Sequence, residues 1–451
     1  MSLLCKKHKL IQTLTMRKRF YLLSLIFFSF YLNAQQVTFE EYDLDNGLHV
    51  ILHQDNTAPL VVTSVLYHVG AKNEEGERTG FAHFFEHLLF EGTENIERGD
   101  WFKIVSSNGG RNNAYTTDDF TYYYELFPSN NLELGLWMES ERMLHPIINE
   151  VGVETQNEVV KEEKRLRYDN SPYGKWAFEV RKRMFEKHPY RHIPIGEMDH
   201  LDAATLDEFI AFNEKFYVPN NAVLVVAGDF EMEEAKKMIA NYFSEIPRGE
   251  EIEVQTFEET PISEPITAEA FDKNIQVPAL FTAYRIPKKT TRDSRVLDMI
   301  STYLSDGKSS KLYRKLVDEK KMSLQVAAFN MSMEDYGLYV ILSLPVGSTE
   351  LAAIRDEIDE EVDKIQNELI SEKDYQKLLN KFESDFVSSN SSVEGIANSL
   401  AEYYAIYGDT NLINSEIDIY RSISREEIRA AAKKYLNPNQ RLTLNYLPES
   451  K

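Results

Sequence analysis

Two stretches of this chain repeat one order of elements, and that repeat constrains the fold more than any other feature. Residues 216–226 close the first stretch and residues 434–444 close the second, each with a Pro-Asn pair followed by a Val- or Leu-rich run. An amphipathic acidic helix is predicted before each run. Thr205 and Ser424 open these helices with a glutamate three residues later, the spacing of a capping box. The recurrence predicts duplicated α+β domains.

Length and composition agree with this organisation. The chain has 451 residues, which predicts two to three domains of about 100–200 residues each. Residues 248–266, rich in glutamate and with two prolines, are the predicted linker between domains at 35–247 and 267–451. The only cysteine is Cys5, so the exported chain must be held together by its core, without disulfides.

The first 34 residues predict a secretory signal peptide. A basic stretch at residues 16–19 precedes an apolar run at 20–32, and Ala34 is a small residue at the boundary. The run is too short to span a bilayer comfortably, and no later stretch is apolar enough to span one. We therefore expect export, to the periplasm if the source is bacterial and otherwise to the extracellular space. Met1 and Met16 both remain possible starts.

The chain is strongly acidic. Its formal charge is −23, and loss of the six basic residues of the leader, which has no acidic residue, brings it to −29. Such a charge argues against binding to nucleic acid or to anionic membrane surfaces.

The segment from His83 to His87 carries the clearest chemistry. On a helix, residues four apart share a face with Cβ atoms about 5–6 Å apart, so both histidines can hold one ion, with Glu86 beside them. H-x-x-E-H is a signature of zinc peptidases. A zinc-activated water and a carboxylate that takes its proton are the elements of metal-assisted hydrolysis. Chance spacing on a solvated helix is the alternative.

The surroundings of the motif favour a metal. Thr79 is the predicted N-cap of the helix and Gly92 its terminator. Most residues between them are apolar, so the helix is predicted to be buried. Buried imidazoles and carboxylates need partners, and a metal supplies one. The apolar residues are Phe81, Phe84, Phe85, Leu88, Leu89 and Phe90.

A third ligand is expected on a second helix. Residues 151–166 predict a helix rich in carboxylates, most of which would face water. Spacing alone leaves Glu158, Glu162 and Glu163 open.

Together these segments resemble the pitrilysin (insulinase) family of zinc peptidases, in its half-length, two-domain type that includes subunits of the mitochondrial processing peptidase. The similarity covers most of the chain after the leader. It rests on residues 83–87, 109–121, 159–163, 188–196 and 216–221. The resemblance implies two similar domains arranged as a clam shell, each a mostly antiparallel sheet packed with helices.

The resemblance also implies a ligand set. Glu163 becomes the third zinc ligand, with Glu162 as its neighbouring alternative, beside His83 and His87, for one Zn²⁺ per chain. Glu86 becomes the general base. Gln156 stands where family members usually carry a glutamate near the site, so it can donate a hydrogen bond there but brings no charge.

Substrate binding is implied at the strand after Gly110. Asn113 and Ala114 would lie on an edge strand that pairs with an extended peptide. An ordinary hairpin with an aromatic face is the alternative.

The second half cannot contribute an imidazole to a metal or acid–base site. All ten histidines lie at or before His200. Self-sufficient family members carry an Arg and a Tyr, seven residues apart, that grip the substrate carbonyl, and the nearest positions here are Lys321 and Ala328. We therefore expect a second family chain to complete the site in a heterodimer, with a homodimer as the other possibility.

The sequence thus predicts a zinc endopeptidase that cleaves short or unfolded peptides. A non-catalytic structural or peptide-binding subunit of a family heterodimer is the alternative.

Overall fold

Two β-sheets organise the chain, one in each half. The computed structural model describes residues 36–253 and 255–449, and the predicted signal peptide lies outside the described residues. Phe39–Lys451 form one compact unit that contains both sheets. Across the described residues, no helix has the length and apolar character that a membrane crossing requires.

The first sheet has six strands in the order β1-β2-β6-β3-β5-β4. Only β2 and β6 pair in parallel, and the other neighbours are antiparallel. The strands are β1 (Glu40–Asp43), β2 (His49–Gln54), β3 (Leu60–Tyr67), β4 (Arg111–Thr116), β5 (Thr121–Pro128) and β6 (Ala222–Gly228). The helices are α1 (Phe81–Leu88), α2 (Trp101–Ser107), α3 (Leu132–Leu144), α4 (Glu150–Lys164), α5 (Trp176–Met184), α6 (Met198–Ala203), α7 (Leu206–Phe216) and α8 (Met232–Phe243).

The second sheet repeats this topology with five strands in the order β7-β11-β8-β10-β9. Its first strand pairs in parallel with its closing strand, as β2 pairs with β6 in the first sheet, and the rest is antiparallel. The strands are β7 (Ile266–Asp272), β8 (Ala279–Pro287), β9 (Ser323–Ser332), β10 (Tyr336–Pro345) and β11 (Arg441–Pro448). The helices are α9 (Arg292–Ser305), α10 (Leu351–Asn367), α11 (Glu372–Ser389), α12 (Val393–Glu402), α13 (Leu412–Ser422) and α14 (Arg425–Tyr435).

The repeat seen in the sequence corresponds to the end of each half. Helices α7 and α14 both begin with a complete capping box, formed by Thr205 with Glu208 and by Ser424 with Glu427. Each helix is followed by a short 3₁₀ turn that starts with proline and leads into β6 or β11. The predicted fold class, two similar α+β domains with mostly antiparallel sheets, is confirmed.

The two halves exchange one helix each, which the sequence did not predict. Helix α5 of the first half packs against β8 and β11, where Trp176 stacks on Phe281 with ring centroids 5.3 Å apart. Helix α12 of the second half packs against β2, β3 and β6. Strand β6 is consequently covered on both faces, which explains why all seven of its residues are buried and apolar or glycine.

Candidate metal centre

Helices α1 and α4 bring together three of the residues predicted as metal ligands. His83, His87 and Glu163 each offer one ligand atom, and these atoms lie within 4.8 Å of one another. The Nε2 atoms of His83 and His87 are 3.5 and 3.2 Å from Glu163 Oε2. Val160 is fully buried one turn before Glu163, so packing of α4 turns this carboxylate toward α1. Glu162 is exposed and pairs instead with Arg165.

Two of these groups, His83 and Glu163, are in the protonation states that bind a metal. Burial, together with the charge of His87, lowers the pKa of His83 to about 4, so its ring is neutral at neutral pH. A hydrogen bond with His87 is the main cause that lowers the pKa of Glu163, which keeps this carboxylate ionised. Neutral imidazole and ionised carboxylate are the ligand forms of these side chains.

Glu86 lies on the same helix but has a different environment. Its Oε2 accepts a hydrogen bond from Thr116 Oγ1 at 2.7 Å, at the end of β4. Burial raises the pKa of Glu86 above its usual value, although the hydrogen bond from Thr116 opposes this. A carboxylate with a raised pKa is a better proton acceptor at neutral pH than an exposed one. Thr116 therefore fixes a carboxylate suited to proton transfer.

Two buried residues, Glu74 and Arg142, hold the ends of α1. Glu74 is buried and accepts the backbone N–H groups of Gly80 and Ala82 at 2.8 and 3.0 Å, which satisfies free donors at the helix start. Arg142 is buried near the other end and donates from Nη1 to the carbonyl of Leu89 at 3.0 Å. Sequence reasoning missed both residues: Glu74 lies only six residues before Gly80, whereas Arg142 lies 53 residues after Leu89, beyond the reach of any local pattern.

The predicted ends of α1 are wrong. The N-cap is Gly80, at φ 94°, and the helix begins at Phe81. Thr79 instead places its Oγ1 2.7 Å from His200 Nδ1 and accepts the N–H of Glu197. The helix ends at Leu88, before Gly92. The carboxylate of Glu74 replaces the expected threonine cap because tertiary packing brings it to the helix start.

Gln156 lies on α4 and lines a cavity of about 510 Å³ that His87 also lines. Its amide nitrogen donates to Glu91 Oε1, and Glu91 is in turn ion-paired with Arg98. The apolar part of the cavity wall is formed by Phe90, Phe102 and Val159. The carboxylate that Gln156 lacks is therefore present nearby, on Glu91.

Asn113 and Ala114 lie in the middle of β4, which is the last strand of the first sheet. They pair with Tyr124 and Tyr123 of β5. Among the described residues, no strand pairs with the other edge of β4. This placement agrees with the predicted edge strand.

Lys321 and Ala328 are poorly placed to grip a substrate. Ala328 lies in β9 opposite Ile341 and is buried in the core of the second half. Lys321 is exposed in the turn before β9, with φ 52°. Ala328 has no side-chain donor, and the exposed Lys321 is not held in a fixed direction by packing, so the two do not form a preorganised donor pair.

The residues present fit a zinc ion. Two imidazole nitrogens and one carboxylate oxygen converge from two packed helices, and this donor set is one that catalytic zinc sites use, with a further position left open. His83 is buried and neutral, so its ring can offer Nε2 to a metal ion. The arrangement can hold a Lewis acid beside the carboxylate of Glu86.

Comparison with known proteins defines the class to which this fold and site belong. The family described as Insulinase (Peptidase family M16) matches residues 49–188, and the family described as Peptidase M16 inactive domain matches residues 203–382. The chain belongs to the pitrilysin (insulinase) family, peptidase family M16, as a half-length member.

Its relatives include zinc protease PqqE of Helicobacter pylori, 29% identical over 415 residues, which span 91% of this chain and 93% of that protein. A solved protease from Helicobacter pylori superposes with a TM-score of 0.86 at 28% identity, covering 91% of this chain and 99% of the other. The periplasmic protease PqqL from Escherichia coli shares the fold, with a TM-score of 0.74 at 18% identity, over 92% of this chain and 48% of that one.

Proposed function

We propose that this protein is a zinc-dependent endopeptidase that cleaves short or unfolded peptides. The observation that carries the proposal is the convergence of His83, His87 and Glu163 beside Glu86. These three residues would hold one Zn²⁺. The family relationship supports the same chemistry, because relatives such as PqqE are named zinc proteases.

Each residue has a distinct task in the proposed reaction. Zinc, when bound, supplies a Lewis acid that polarises the peptide carbonyl and makes water more acidic. Glu86 takes a proton from the attacking water and passes it to the leaving amine. The hydroxyl of Thr116 keeps the Glu86 carboxylate in place during both transfers.

The edge of β4 supports the proposed substrate class. An extended peptide can add to an unpaired strand through main-chain hydrogen bonds, and Asn113 and Ala114 lie at the centre of that edge. Most segments of a folded protein already have their main-chain groups paired, so the proposal favours short or unfolded peptides.

Metal analysis tests the proposal directly. We expect the purified chain to contain about one zinc per molecule, because three donors converge on one point. Chelation should remove the zinc and the cleavage of a quenched fluorescent peptide together, and zinc should restore both. A metal-free chain that still cleaves the peptide would rule out the mechanism.

A non-catalytic peptide-binding or structural subunit is the second candidate. It is favoured by the description of the family that matches residues 203–382 as an inactive domain. That match contains none of the four residues at the candidate metal centre, all of which lie within residues 49–188. Zinc content without peptide turnover would support this candidate.

We further propose that a second family chain completes the site. The second half offers Lys321 and a buried Ala328 where self-sufficient relatives are expected to have an Arg and a Tyr. Preorganised donors at an oxyanion are worth about 10²–10³-fold in rate each. The chain alone is therefore expected to bind zinc normally and turn over slowly.

Co-purification from the native source tests this dependence on a partner. We expect a second two-domain chain with an intact Arg/Tyr pair, and mixing should raise kcat/KM by about 10²–10³-fold. A homodimer with full activity that Lys321→Ala abolishes would show instead that the chain supplies its own clamp.

Domain boundaries at 35–247, 248–266 and 267–451 remain part of the proposal, as does a signal peptide at residues 1–34. Export to the periplasm of a bacterial source is supported by that leader and by the description of PqqL as periplasmic.

A further inference from the structure

The two carboxylate oxygens of Glu163 face different partners. Oε2 faces the imidazoles, 3.5 Å from His83 Nε2 and 3.2 Å from His87 Nε2. Oε1 points away from them and is ion-paired with Arg167 Nη1 at 2.7 Å. Arg167 lies four residues after Glu163, in the π-helical extension Arg165–Asp169 that follows α4.

This ion pair is unlike an ordinary surface pair. The side chain of Glu163 is 14% exposed and that of Arg167 is 73% exposed, so the guanidinium covers a nearly buried carboxylate from the solvent side. Among the described residues, Arg167 has no other ion-pair or hydrogen-bond partner. Exposed ion pairs contribute little to folding stability, so the stability of the fold does not account for this contact.

We propose that Arg167 is a positioning residue that restricts Glu163 to a single metal-binding oxygen. The inference rests on the proposed function. A catalytic zinc site needs one open position in addition to its three protein ligands. If both oxygens of Glu163 bound the ion, the second oxygen would crowd that position and raise the coordination number. The ion pair with Arg167 engages the second oxygen of Glu163 and so keeps the open position free for water.

Arginine suits this task better than lysine. Its guanidinium is planar, always charged and donates in fixed directions, whereas a lysine ammonium is a flexible point charge. Only Nη1 of the guanidinium approaches Glu163 Oε1, so the contact is a single ion pair that holds this oxygen on the side away from the imidazoles. Arg167→Lys should therefore keep the charge but hold the carboxylate less firmly.

The same helical region offers a matched control. Arg165 pairs with Glu162 at 3.0 Å, and both side chains are 55% exposed. Glu162 has no contact with either imidazole among the described residues. Arg165→Ala removes one arginine and one ion pair from the same turn of the chain without touching Glu163.

The experiment compares Arg167→Ala, Arg167→Lys and Arg165→Ala with the wild-type chain. Zinc content, kcat and KM are measured for each, and the visible spectrum of the cobalt(II)-substituted protein reports the number of ligands. For Arg167→Ala we expect zinc to be retained, kcat to fall about 10–100-fold with little change in KM, and the cobalt spectrum to weaken as the coordination number rises. Arg167→Lys should be intermediate and Arg165→Ala should match the wild type.

Two results would overturn the role of Arg167. One is an unchanged cobalt spectrum and kcat in Arg167→Ala, and the other is loss of zinc from this variant, which would mean that Arg167 retains the metal instead of limiting its ligands. A wild-type chain that binds no zinc would overturn the proposed function itself, so the two failures are distinguishable.

Discussion

Replacing His83, His87 or Glu163 by alanine is expected to remove zinc and peptidase activity together. The three donors lie within 4.8 Å of one another, and a site of two remaining ligands binds zinc far more weakly than three. Activity should fall by at least the factor that general-base catalysis contributes, about 10²–10⁴. Zinc content by mass spectrometry and cleavage of a quenched peptide measure the two losses on the same sample.

Glu162→Ala is the matched control for Glu163→Ala. The two glutamates are neighbours on α4, but the side chain of Glu162 is 55% exposed and that of Glu163 only 14%. Glu162→Ala should therefore keep zinc, activity and the melting temperature. Zinc retention in Glu163→Ala combined with zinc loss in Glu162→Ala would show that the third ligand has been assigned to the wrong residue.

Glu86→Gln is expected to separate metal binding from catalysis. The amide can keep the contact with Thr116 Oγ1, so the helix and the three ligand groups should stay in place. It cannot accept a proton, and kcat should fall about 10²–10⁴-fold while zinc is retained. Measurement of zinc content and kcat on one preparation checks both parts.

The control for this variant is Glu75→Gln, an exposed glutamate close before α1 that pairs with Lys215 at 3.1 Å. It should leave zinc and kcat unchanged. Near-normal turnover in Glu86→Gln would mean that another group takes the proton. Loss of zinc would instead mean that Glu86 supports the ligand geometry.

Local pattern was sufficient for several parts of this protein. The spacing of His83 and His87 depends only on the helical period, and α1 places both on one face. The carboxylate-rich segment predicted as a helix at residues 151–166 is α4 with its π-helical extension. Both capping boxes predicted at Thr205 and Ser424 are present, because a capping box needs only residues three apart.

Local pattern failed at both ends of α1. A threonine before an apolar run predicted the N-cap of α1, but the donors of this helix are satisfied by Glu74. The contact of Arg142 with the carbonyl of Leu89 spans 53 residues. Sequence spacing carries no information about the pair of Arg142 and Leu89, because the chain between them can take many paths.

By itself, then, the sequence determined the duplicated α+β organisation, the metal-binding helix and the carboxylate-rich helix that faces it, because each follows from periodicity and residue type within about two turns of chain. Only the tertiary structure decided how Glu163, which spacing alone left open beside Glu162, is turned toward the imidazoles, that Arg167 covers its second oxygen, and that α5 and α12 cross to the opposite sheets. These outcomes depend on which apolar faces pack together, and packing fixes the rotation of each helix and so the direction of each charged side chain.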